Sequence, residues 1–116
     1  LKPNWRAAAA AGADVVAVPV AGPASGDPDG IFLAEMRTHA RANAVYAVSA
    51  ARSGTETVTG RAVRHDGDTV AVGPDGAVVA GPGPAVLAGI DPARLALASE
   101  RNPTARRLRP LIPQRS

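Results

Sequence analysis

The sequence predicts an α/β fold, a mixed sheet with helices on one face, and three observations support this. Helix-forming stretches alternate with short valine-rich runs over roughly the first half of the chain, as is typical of α/β layers. From residue 55 onward the pattern changes to short strands separated by turn signals, which predicts a β-meander. A capped helix and a proline-containing tail follow. With 116 residues, the chain suffices for one domain and not for two.

The first half of the chain predicts two helix–strand units. The Ala-rich stretch 4–12 favours a short helix, because alanine is the best helix former and Gly12 suits a left-handed cap. The run 14–20 is apolar and rich in valine, which is typical of a strand buried on both faces. After a loop rich in Gly and Pro, a helix over 29–44 and a buried strand over 45–50 repeat this order.

The second half predicts short strands, a helix and an arm. The Asp66-Gly67 pair and the Pro74-Asp75-Gly76 triplet are hairpin turn signals. Asp91 can cap a helix whose first turn holds Pro92. The predicted elements are strands over 57–64, 69–72, 77–80 and 85–90, a helix over 93–101 and an extended carboxyl-terminal arm over 102–116.

Composition excludes several classes of protein. Ala and Val supply 26 and 13 residues, whereas Trp, Tyr, Phe and Met occur once each, so the apolar area available to a core is small. With no cysteine, the chain offers no disulfide, Cys-ligated zinc site or thiol nucleophile. Two histidines without suitably spaced carboxylates predict no metal, and we expect no cofactor. The sequence contains neither an apolar run of the ~20 residues that a membrane span needs nor a signal-peptide pattern, so we expect a cytoplasmic protein.

The chain carries a formal net charge of +3 and gathers arginines near its end. Such a cluster can contact nucleic acid, or it can form an arm that packs on a partner subunit. Because no aromatic residues lie between the arginines to stack on bases, we favour the arm and expect no nucleic-acid partner. The clustered arginines are Arg101, Arg106, Arg107, Arg109 and Arg115.

Four stretches in order resemble the carboxyl-terminal half of the nitrilase (carbon–nitrogen hydrolase) superfamily. Residues 6–19 read RAAAAAGADVVAVP, and residues 41–56 read RANAVYAVSAARSGTE. Residues 73–80 read GPDGAVVA, and residues 90–110 begin IDPARL and end RNPTARRLRP. No stretch is decisive alone, but their joint order and spacing across nearly the whole chain is specific.

The resemblance implies a partial αββα sandwich, with residues 1–116 forming the carboxyl-terminal part of one hydrolase domain. It implies hydrolysis of non-peptide C–N bonds in small amides or nitriles by a Glu, Lys and Cys triad without metal or organic cofactor, and assembly into homodimers. The family's triad would precede Leu1, so we expect this chain alone to be inactive and assign it no catalytic residue. The alternative is a non-catalytic remnant that serves as a binding or dimerisation module.

Few residues of this chain are candidates for a site. By the resemblance, Glu56 approaches the mouth of the substrate pocket, although an ordinary loop carboxylate fits equally. Ser49 and Ser53 carry hydroxyls but have no histidine positioned nearby in the sequence. His65 is adjacent to Asp66 and close to Asp68, which could form an acid–base cluster, but a solvated turn is favoured. We expect Trp5 and Tyr46 to pack in the core rather than to contact a ligand.

Overall fold

The computed structural model describes residues 4–20, 27 and 29–102 and confirms the α/β class. Three helices and six strands follow one another along these residues. They are α1 (Trp5–Ala10), β1 (Val15–Val20), α2 (Ile31–Asn43), β2 (Tyr46–Ala51), β3 (Ser53–Val58), β4 (Arg61–Asp66), β5 (Thr69–Val72), β6 (Val78–Gly83) and α3 (Pro92–Arg101).

Four strands form a mixed sheet in the order β1-β2-β5-β6. Strands β1 and β2 are parallel, as their connection through α2 requires. Strand β5 runs antiparallel to both β2 and β6, and the predicted Pro74-Asp75-Gly76 turn joins β5 to β6. Pro19 is tolerated in β1 because this strand lies at the edge of the sheet, where one side of its backbone pairs with no other strand among the described residues.

One face of this sheet is covered by α1 and α2. Val16 and Val18 of β1, with Ala47 of β2, pack against Trp5 of α1 and Met36 of α2. Small side chains let the helices approach the sheet closely, and the cluster buries Met36 to 1 % exposure. Helices α1 and α2 therefore lie on one face, as predicted. Helix α3 does not lie on that face, because the residue before it, Asp91, contacts Tyr46, which the register places on the same face as Val15.

The opposite face of the sheet corrects the prediction that β1 is buried on both sides. Burial alternates strictly along the first five residues of β1, so that Val15, Ala17 and Pro19 are exposed. The register pairs these residues with Tyr46, Val48 and Ala50 of β2 on the same face. Among the described residues no helix or second sheet layer covers Ala17, Pro19 or Ala50, so the strand has a solvated apolar side. We call the face formed by Val15, Ala17, Pro19, Val48 and Ala50 the open face.

The predicted meander is wrong, because the strands after residue 52 belong to two sheets. The range 57–64, predicted as one strand, contains a turn at Thr59 and Gly60, both with positive φ. Strands β3 and β4 on either side of this turn form a separate two-stranded sheet. Asp66-Gly67 is consequently a link between the two sheets and not a hairpin turn.

The carboxyl-terminal part differs from prediction at one strand. Residues 85–90 form no strand, and Leu87 is 96 % exposed. Strand β6 instead continues to Gly83, and the chain bends directly after it at Pro84 and Ala85. Helix α3 is confirmed, with Asp91 Oδ1 accepting from the Ala93 N–H at 2.9 Å. The predicted arm lies outside the described residues apart from Asn102.

Candidate functional site

Glu56, the predicted pocket residue, lies on β3 and contacts two basic side chains. One carboxylate oxygen, Oε1, is 2.8 Å from Nε2 of His65 on β4. The other, Oε2, accepts from Nη2 of Arg52, which precedes β3, at 2.5 Å. In the β3–β4 register Glu56 faces Val63, and His65 lies two residues further along β4. The contact is therefore a diagonal one across the hairpin, a distance that long side chains can span.

The charge of Glu56 is stabilised by these neighbours. The hydrogen bond from His65, followed by the positive charge of Arg52, lowers the pKa of the Glu56 carboxyl below its ordinary value despite partial desolvation. The Glu56 side chain remains 35 % exposed, whereas that of His65 is only 9 % exposed. The cluster thus presents an ionised carboxylate to solvent, with an imidazole packed behind it.

The prediction that His65 lies in a solvated turn is wrong, because β4 extends through residue 66. Its side chain contacts Glu56 across the hairpin instead. This pairing was not predicted, because a single strand over 57–64 leaves no hairpin between Glu56 and His65. The signal was present in the Thr59-Gly60 pair, since a Gly that adopts positive φ is typical of a tight turn between two strands.

The two serines do not supply a nucleophile to this cluster. Ser49 is 3 % exposed, and its hydroxyl accepts from the Val70 N–H at 2.9 Å and donates to the Val70 carbonyl at 3.4 Å. It therefore joins β2 to β5 inside the sheet. Ser53 is exposed at the start of β3, opposite residue 66. Neither is bonded to His65, whose partner in the described part of the chain is Glu56.

Two of the three aromatic residues, Trp5 and Tyr46, are buried as expected. Trp5 stacks on His39 with ring centroids 5.4 Å apart and ring planes 7° from parallel. Tyr46 is buried below the start of α3, where its hydroxyl accepts from the Asp91 N–H at 3.1 Å. The guanidinium of Arg94 lies 6.0 Å from the centre of the Tyr46 ring. Both aromatic residues therefore hold helices on the sheet.

Two further features concern the described residues 4–20, 27 and 29–102. These residues contain no group of three or more His, Asp or Glu side chains that could hold a metal ion. None of the described helices is long and apolar enough to cross a membrane.

Known proteins match this chain through structure rather than sequence. No family model and no curated protein matches it. A carbon–nitrogen hydrolase from Helicobacter pylori G27 superposes with a TM-score of 0.70 at 20% identity, covering 88% of this chain and 40% of its own. A nitrilase-superfamily amidase from Nesterenkonia AN1 gives a TM-score of 0.55 at 28% identity, covering 89% and 37%. Another structure of that amidase, with acrylamide added at the active-site cysteine, gives 0.53 at 30% identity, covering 89% and 38%.

These likenesses define the class of fold: the mixed sheet and its helices match part of a carbon–nitrogen hydrolase fold. The chain shares the fold of the nitrilase superfamily, and the resemblance seen in the sequence is confirmed. The chain spans about 40% of the length of the solved structures that it matches.

Proposed function

We propose that this chain forms the carboxyl-terminal part of a carbon–nitrogen hydrolase domain, whose catalytic Glu, Lys and Cys lie on a segment other than residues 1–116. The observation that carries the proposal is the open face. Val15 is 39 % exposed, and its apolar neighbours Ala17 and Pro19 are also exposed. An apolar sheet face of this kind is normally covered by a second layer. The rest of a hydrolase domain would supply that layer.

The absence of cysteine from this chain is consistent with a catalytic cysteine on the other part of the domain. In a solved structure of the Nesterenkonia amidase, the acetamide moiety of fluoroacetamide is covalently attached to the active-site cysteine. The present chain contains no cysteine, and acyl transfer through a thiol needs a thiolate with a nearby base. Small amides or nitriles are accordingly the substrates of the assembled protein in this proposal, and we propose a homodimer as its assembly.

Glu56 has a positioning role in this proposal. Its carboxylate is ionised, partly exposed and fixed by His65 and Arg52, so it can accept a hydrogen bond from a substrate N–H. It lies at the pocket mouth and takes no part in bond breaking. In the assembled enzyme, Glu56→Gln should raise KM for an amide several-fold and leave kcat nearly unchanged.

The experiment compares the chain alone with the chain co-expressed with the segment encoded directly upstream, roughly 130–150 residues for a domain of ordinary size. Release of ammonia from acetamide and acrylamide is measured. The chain alone should release none, and the assembled protein should release ammonia. An assembled protein that lacks activity would favour the alternative, a non-catalytic binding or dimerisation module, and would contradict the proposal.

A matched pair of variants tests the role of the open face. Ala17→Asp places a charge on this face, where desolvating a carboxylate is costly, and should abolish both co-purification and ammonia release. Ala96→Asp, at an exposed position of α3, should preserve both. Equal effects of the two substitutions would show that the open face is not the contact.

A further inference from the structure

A groove with three arginines lies away from the Glu56 cluster. It has a volume of about 350 Å³ and lies between the end of α2, the turn joining β5 to β6, and α3. We call it the arginine groove. It is lined principally by Arg41, Asp75, Arg94, Leu97, Ala98 and Arg101.

Hydrogen bonds fix the walls of this groove to one another. Nδ2 of Asn102, which ends α3, donates to the carbonyls of Arg41 at 3.0 Å and Ala42 at 2.8 Å. On the other wall, Arg37 Nε donates to the Gly76 carbonyl at 2.8 Å. A Cβ on Gly76 would lie only 3.2 Å from the Arg37 carbonyl, so the turn approaches α2 closely. The arginines are therefore carried by a preformed frame.

The charges in the groove are unbalanced. Arg94 Nη2 pairs with Asp75 Oδ1 at 2.9 Å. Among the described residues, neither Arg41 nor Arg101 has a carboxylate within ion-pair distance. Arg41 and Arg101 both lie in the last turns of helices. The carboxyl-terminal end of each helix carries about half a negative charge, which offsets about half of the positive charge of each arginine. The groove stays positive after Asp75 and both helix ends are counted.

We propose that the arginine groove binds a phosphate monoester of a small organic molecule. Guanidinium groups present N–H donors in a planar fork that matches phosphate oxygens. Leu97 and Ala98 offer an apolar floor for the organic part, and the volume is at the lower end of the range for small-molecule sites. The inference is independent of the proposed hydrolase function.

Equilibrium dialysis of the full chain, which tolerates self-association, tests this with inorganic phosphate and phenyl phosphate at constant ionic strength. Both should bind, and phenyl phosphate should bind more tightly because its ring contacts the apolar floor. The double variant Arg41→Gln/Arg101→Gln should weaken binding by about tenfold or more. The control Arg61→Gln/Arg64→Gln removes the same charge from the β3–β4 hairpin and should change binding by less than about twofold.

A variant with the opposite expected sign separates recognition from loss of folding. Asp75→Asn releases Arg94 from its ion pair and removes the negative charge of the groove, so phosphate should bind several-fold more tightly. Equal weakening by the two double variants, or no binding to the unsubstituted chain, would overturn the proposal. If phenyl phosphate binds no more tightly than inorganic phosphate, the claim that Leu97 and Ala98 contact the organic part of the ligand is contradicted. Duplex DNA is used as a further competitor. If it binds more tightly than phenyl phosphate and both double variants weaken its binding equally, the arginines form a general polyanion surface and the proposal is overturned.

Discussion

At the scale of single residues, some site residues could be predicted from the sequence, whereas the contacts between them could not. Glu56 could be selected from the sequence because its stretch resembles a family motif. His65 was also a candidate, but its contact with Glu56 could not be predicted, since it depends on a register that only the folded hairpin fixes. The arginine groove was missed for the same reason, because Arg41, Arg94 and Arg101 converge only when α2 and α3 pack.

The lowered pKa of Glu56 predicts an acid-sensitive hairpin. Because the folded-state pKa lies below the unfolded one, the contribution of Glu56 to stability is complete above the ordinary carboxyl range and is lost as the pH falls through the folded pKa. Amide hydrogen exchange in β3 and β4, corrected for intrinsic rates, should show protection decreasing over this acidic range. Glu56→Gln should remove most of the pH dependence, and an unchanged profile in that variant would contradict the assignment.

At the scale of elements, the sequence predicted those helices, strands and turns that depend on neighbouring residues. Helix α3 was predicted because Asp91 and Pro92 are a capping pair, and β5–β6 because of the Pro-Asp-Gly turn. Strand β2 was predicted from its apolar run. The two-sheet arrangement was not, because strand partners are chosen by tertiary packing. Residues 85–90 have the composition of a strand, yet the structure pairs them with no sheet edge.

Gly81 in β6 is a position where backbone packing requires the absence of a side chain. Its φ is +84°, and a Cβ there would lie 2.5 Å from the Thr69 carbonyl oxygen. Gly81→Ala should lower the free energy of unfolding by about 2–3 kcal/mol. Gly89→Ala is the matched control, since a Cβ at that position meets no atom within 4 Å, and it should change stability by less than about 0.5 kcal/mol. Urea denaturation measures both, and equal losses would contradict the packing argument.

At the scale of the whole molecule, the open face accounts for the small apolar area that the composition indicated. Ala and Val dominate the sequence, and several of them face solvent on β1 and β2. The core on the helix side is closed around Met36 and Trp5. The open face leaves the other side of the sheet uncovered among the described residues, and we propose that the rest of a larger domain covers it.

An uncovered apolar face predicts self-association of the isolated chain. We expect strong fluorescence of the dye ANS and concentration-dependent oligomers in light scattering. Ala17→Asp should reduce both, whereas Ala96→Asp should leave them unchanged. A monomer that binds no dye would contradict an open apolar face.

Hydroxyl-radical footprinting with and without the co-expressed upstream segment tests the central claim most directly, because it reports which side chains the segment covers. Met36, at 1 % exposure, should stay unlabelled in both states and so verify that the fold is retained. Val15 and Pro19 should be labelled in the isolated chain and protected several-fold in the assembled protein. Equal labelling of Val15 and Pro19 in the two states would contradict the proposal that this sheet face is covered by the rest of a carbon–nitrogen hydrolase domain.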